Sequence, residues 1–94
     1  MASPSLSELH AFVAAARLGT FLKAAEILCV TPGAVSRAIS RIEADLGSQL
    51  FTRHARGCEL TDQGRDYLAL VAPALDALES AAAKAKVRSA HRVL

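Results

Sequence analysis

Between Thr31 and Gly57 the chain carries the cations Arg37, Arg41, Arg53 and Arg56, with His54, against only two carboxylates, Glu43 and Asp45. Guanidiniums are donors without acceptors, always charged, and shaped to pair with phosphate and with base edges. Serine hydroxyls at Ser36 and Ser40 lie among them. This set offers charge and hydrogen bonds to a polyanion. Bond-making chemistry would need convergent titratable groups. The histidines His10, His54 and His91 fall in three separate segments, and neither Cys29 nor Cys58 has a His or carboxylate at ligand spacing. Ser36 has no base nearby to activate it, and the five glycines form no phosphate-cradling motif. No enzyme, metal or cofactor is expected.

The segment Thr31–Leu46, TPGAVSRAISRIEADL, must position most of these groups. At helical spacing Val35, Ile39, Ile42 and Leu46 make one apolar stripe with Ala38 beside it, and Gly33, Arg37, Ser40 and Ala44 lie opposite, flanked by Ser36 and Arg41. Thr31 is a good N-cap and Pro32 suits the first helical position. A helix start with free amides and a positive dipole end also favours phosphate. Seen alone, this is equally an amphipathic helix with a wet basic face.

Its surroundings narrow the choice. Thr20–Leu28, TFLKAAEIL, reads as a short helix capped by Thr20, with Ala24 and Ala25 small enough for another helix to cross closely. Only Cys29 and Val30 separate it from the Thr31 cap, which is the helix-turn-helix pattern. A helix stop at Cys29 favours a left-handed residue, an uncomfortable role for cysteine. After Gly47, Gln49–Arg53 has strand character and Cys58–Thr61 can return beside it, with His54–Gly57 connecting. Arg53, His54 and Arg56 would then project from a two-stranded wing toward backbone or minor groove.

The run GTFLKAAEILCVTPGAVSRAISRIEADLGSQLFTR, followed by LTDQG, resembles the N-terminal DNA-binding domain of the LysR-type transcriptional regulators, from about Leu6 to about Leu78. The resemblance implies a mainly α fold: a winged helix-turn-helix of three helices plus a two-stranded wing, followed by a long dimerisation helix. It implies sequence-specific binding of double-stranded DNA by a dimer on an interrupted palindrome, with helix 31–46 in the major groove and wing 53–57 on flanking backbone or minor groove. Ser36 and Arg37 are the candidates for base-edge or adjacent phosphate contact, Pro32 and Gly33 for apolar contact. Thr20, Thr31, Ser40, Arg41 and Thr61 line the backbone side, and Arg53, His54 and Arg56 hold the flank. The family more often carries Gln-Pro at Pro32 and Gly33, so an amide that could pair with adenine is missing here.

The first and last helices frame this unit. Ser5 with Glu8 is a capping box, and Leu6, Leu9, Phe12, Val13 and Ala16 repeat at helical steps up to Gly19. Thr61 caps a long final helix. Along it Leu68, Val71, Leu75, Leu78, Ala82 and Ala85 form a heptad-like stripe, expected to pair two copies. Pro73 inside it should bend it. The chain divides as 1–61 winged helix-turn-helix, 62–88 linker and dimerisation helix, and 89–94 hinge or tail. The resemblance implies a further C-terminal effector domain, absent from these residues, through which any small molecule would act.

Composition agrees. Ninety-four residues suit one small domain, 52% are apolar, and aromatics at 4% are too few for single-strand stacking. A net charge of +2 is too small for indiscriminate coating of DNA. The N-terminus MASPSLSEL has neither a basic region nor a long apolar run, so a cytoplasmic, nucleoid-bound protein with two free thiols is expected. Two other readings remain: a metal- or redox-sensing winged-helix repressor using Cys29 and Cys58, and a helical protein-interaction module.

Overall fold

A computed structural model describes residues 3–92, without the side chains of residues 88–92. Six elements follow in order: α1 (Leu6–Leu18), α2 (Phe21–Leu28), α3 (Pro32–Leu46), β1 (Phe51–His54), β2 (Gly57–Leu60) and α4 (Asp62–Arg92).

Local caps set the helix boundaries. Ser5 and Glu8 close the capping box that starts α1, and Gly19 ends it in the left-handed region. Thr20 Oγ1 accepts the Lys23 amide and Thr31 Oγ1 accepts the Ala34 amide, each at 3.1 Å. Cys29 stops α2 at φ 58°, ψ 43°, the left-handed position expected of it. Gly47 does the same for α3.

The core forms where α1, α2 and α3 cross. Ala24 and Ala25 are buried, as their size suggests, together with Phe12, Val35, Ile39 and Ile42. Two stripe positions differ from expectation. Leu6 is 54% exposed and Leu46 44% exposed, because each lies at an end of its helix, outside the packed region.

All four aromatic rings of the chain join in one cluster. Phe12 meets Tyr67 at 5.3 Å and Phe51 at 5.6 Å between centroids, and Phe51 meets Phe21 at 5.6 Å. The rings therefore connect α4, α1, β1 and α2.

The wing is an antiparallel pair with Phe51 opposite Leu60 and His54 opposite Gly57. Both strands are displaced from the expected positions, and Ala55–Arg56 alone makes the turn. The displacement places Arg56 at the tip itself.

Two glycines permit close approach. A Cβ on Gly57 would stand 2.3 Å from the Gly19 carbonyl oxygen, and one on Gly64 would stand 2.1 Å from that of Leu50. The first contact lets the Cys58 amide donate to the Gly19 carbonyl at 2.9 Å, fastening the wing to the α1–α2 turn.

The final helix continues through Pro73 without a break. The expected tail at 89–94 is helical as far as Arg92, and Val93 and Leu94 lie outside the described residues, as do Met1 and Ala2. The expected pairing stripe is divided. Val71 and Leu75 are 9% and 5% exposed and belong to the chain's own core, with Leu68 packed against it. They are already buried within one copy, so they are not a surface for a second. Leu78, Ala82 and Ala85 are exposed. Among the described residues no helix is long and apolar enough to cross a membrane.

Candidate nucleic-acid interface

Burial of Val35, Ile39 and Ile42 turns the opposite side of α3 outward. Gly33, Arg37, Ser40 and Arg41 are all exposed, as are Thr31 and Pro32 at the helix start. Glu43 is removed from this face. Its carboxylate accepts the Leu50 amide at 2.8 Å and the Phe51 amide at 3.4 Å. The helix thus uses its more central carboxylate to hold the start of the wing.

Arg37 forms no ion pair among the described residues. Its Nη1 lies 3.3 Å from where a Gly33 Cβ would stand, so the guanidinium reaches back over the first turn of α3. Only a small residue leaves that path open.

Arg41 does meet a carboxylate, Glu8 Oε2 at 3.5 Å. The pair is long, and the Arg41 side chain remains 80% exposed. An exposed pair of this kind contributes about 0–1 kcal/mol, so it steadies Arg41 without removing it from the surface. The Ser5 amide, donating to Glu8, is the first cause holding that carboxyl below its ordinary range, with the Ser5 hydroxyl and Arg41 adding to it against burial.

The wing cations take three different places. Arg53 does not project from the tip. Its guanidinium lies 4.4 Å above the Phe21 ring and donates from Nη2 to Ser36 Oγ at 3.0 Å. His54 Nδ1 accepts the Arg56 amide at 3.3 Å, while Nε2 lies 3.8 Å from Glu59. Those contacts make His54 part of the turn. Arg56 is exposed at the tip, and its side chain has no ion pair among the described residues.

Thr20 and Phe21 share a concave surface with Arg53, His54 and Arg56, so the start of α2 and the wing face solvent together. Thr61 departs from expectation. Its hydroxyl donates to the Gln49 carbonyl at 2.6 Å and accepts the Gly64 amide at 3.0 Å. With both functions occupied inside the fold, it joins the wing to α4 and has no proton left for phosphate. Arg65, not singled out from the sequence, donates to the Leu60 carbonyl at 3.1 Å and pairs with Asp62. The spacing of Asp62 and Arg65 is visible in the sequence, but the contact with β2 is not.

The arrangement is an exposed basic helix face beside a basic wing tip. Cys29 is exposed and Cys58 buried. Burial pushes the Cys58 thiol up, with the Arg53 charge opposing it. No group of three His, Cys, Asp or Glu residues could hold a metal ion among the described residues.

Residues 6–65 match the family described as bacterial regulatory helix-turn-helix protein, lysR family. The chain belongs to the lysR family. Its relatives within that family are transcriptional regulators. It is 56% identical over 61 residues to the regulator TrpI of Pseudomonas aeruginosa, which covers 65% of the chain and 21% of TrpI. It is 41% identical over 91 residues to the glycine cleavage system transcriptional activator of Escherichia coli K12, covering 97% of the chain and 30% of that protein. The lysR-family chain therefore spans about a fifth to a third of the length of these relatives. Its fold matches the crystal structure of the CbnR DBD–DNA complex with a TM-score of 0.80 at 29% identity, over 90% of this chain and 98% of that one.

Proposed function

We propose that this chain is the sequence-specific duplex-DNA-binding part of a transcriptional regulator. One observation carries the reading: the surface of α3 facing away from the core presents Gly33, Arg37, Ser40 and Arg41, with Arg37 in no ion pair among the described residues, next to the exposed Arg56. The structural relative CbnR DBD, crystallised as a DNA complex, supports it.

In this reading the N-terminal half of α3 enters the major groove. Arg37 reads a base edge, guanine O6 and N7 being its best match, or the adjacent phosphate. Ser36 lies on the wing side of the same face, and Pro32 and Gly33 offer apolar contact to a thymine methyl. Arg41, Ser40, Thr31 and Thr20 approach phosphates near helix starts, where amide groups and the dipole favour anions. Arg56, with His54 shaping its turn, reaches the flanking backbone or a narrow minor groove.

Two copies pair through α4. Val71 and Leu75 are occupied in the core, which leaves Leu70, 74% exposed, and Leu78, 53% exposed, with Ala74, Ala77 and Ala81 between and beyond them. These positions share one side of the helix at three- and four-residue steps. Alanine allows a second helix to approach closely. A two-fold dimer then places two α3 helices on an interrupted palindrome.

Selection of bound duplexes from a random pool, followed by titration, tests the reading. Enrichment of a palindromic motif supports it. Equal retention of every sequence overturns it.

A further inference from the structure

We propose that Arg53 biases the Ser36 hydroxyl toward donating to the duplex, so that a base edge presenting an acceptor is favoured opposite Ser36. The inference rests on the DNA-binding reading above and assigns one residue's polarity within it.

A serine hydroxyl has one proton and two lone pairs and by itself serves donors and acceptors alike. At Ser36 one lone pair is taken by Arg53 Nη2 at 3.0 Å. A guanidinium accepts nothing, so the hydroxyl proton cannot return along that bond. Among the described residues it makes no bond to a backbone carbonyl either, the usual resting place of a helical serine proton. The proton is free to point toward the open side of α3. A cationic donor on the oxygen also polarises the O–H bond and strengthens it as a donor.

The guanidinium is held for this task. It lies 4.4 Å over the Phe21 ring, whose edge-on contact with Phe51 at 5.6 Å joins α2 to the strand that carries Arg53. Glu43 fixes the start of that strand through the Leu50 and Phe51 amides. No carboxylate lies within ion-pair distance of Arg53 among the described residues, so its charge is not neutralised by a neighbour.

The consequence is a preference by polarity. Guanine N7 and O6, thymine O4 and adenine N7 would accept from Ser36. The exocyclic amines of cytosine and adenine would have only the second lone pair of an oxygen already bonded to a cation, a weaker acceptor. Arg53 is thus a positioning residue that acts through Ser36.

The test starts from the duplex preferred by the unaltered protein and replaces each base pair of one half-site in turn. Dissociation constants are measured for the unaltered protein, Ser36→Ala, Arg53→Met and the double variant, with melting curves and salt slopes for each. The expected result is that both single changes lose about three- to tenfold of preference at one shared base pair, the scale of a single hydrogen bond. The double variant should lose no more than either alone, with the salt slope unchanged. The inference is overturned if Arg53→Met weakens every duplex alike and lowers the salt slope by about one unit, as loss of a phosphate contact does. It is equally overturned if the two changes act at different base pairs. Should Arg53→Met melt below the assay temperature, Arg53→Gln carries the same comparison with the same two outcomes. A wild-type protein that distinguishes no duplex would instead overturn the DNA reading itself.

Discussion

The Glu43 carboxylate accepts the Leu50 amide at 2.8 Å, tying the second half of the basic helix to the residue that opens the wing. The same carboxylate reaches the Phe51 amide at 3.4 Å. Leu50 is 1% exposed, so its amide has no ready access to water if the carboxylate is lost. Glu43→Ala should destabilise the domain by about 1–3 kcal/mol, the cost of an unsatisfied buried donor. Urea titration measures this. Unchanged stability would show that the contact holds nothing.

Gly57 should tolerate no side chain. A Cβ there would stand 2.3 Å from the Gly19 carbonyl oxygen, at a φ of +147° that side chains rarely adopt. Gly57→Ala should detach the wing from the α1–α2 turn and cost about 1–3 kcal/mol, the range of a strained backbone position. Thermal melting with amide exchange at Cys58, whose N–H donates to that carbonyl, reads both effects. Native exchange protection at Cys58 would contradict it.

What the sequence disclosed was local. Ser5 with Glu8, Thr20, Thr31 and Gly47 mark helix ends through contacts within four residues or through their own backbone preference, and each does so in the structure. The spacing of Val35, Ile39 and Ile42 told which side of α3 is inward. Contacts between distant segments left no such mark. Arg53 docks on Ser36 across 17 residues, and Thr61 turns toward Gln49 across 12. Val71 and Leu75 share one helical stripe with Leu78, and only the reach of the core decides which of them it absorbs. The wing lies where the residues indicate, and its strands differ from the expected bounds by one or two residues at their ends, where local signals are weakest.

Acid should loosen the start of α1. Glu8 has its pKa lowered, chiefly by the Ser5 amide. Its stabilisation is complete above the ordinary carboxylate pKa and is lost as pH falls through the lowered value. Glu8→Gln should therefore reduce the loss of stability on acidification. Urea titrations stepped through the acid range check it, and an identical pH dependence in both proteins would refute it.

The two sides of α4 should separate by substitution. Leu70→Asp, on the exposed side, should yield monomers in sedimentation with native helix content. Leu75→Ala, at a position 5% exposed, should cost about 2–5 kcal/mol of stability through lost core packing. A dimer that survives Leu70→Asp would place the pairing surface elsewhere.

The most direct test compares Arg37→Ala with Arg56→Ala on the preferred duplex and on a scrambled one, across a salt series. Arg37→Ala should cost about 1–3 kcal/mol on the preferred site and narrow its advantage over the scrambled one. Arg56→Ala should weaken both duplexes alike and lower the salt slope by about one unit. If removing Arg37 left the ratio between the two duplexes untouched, the open side of α3 would not be reading sequence.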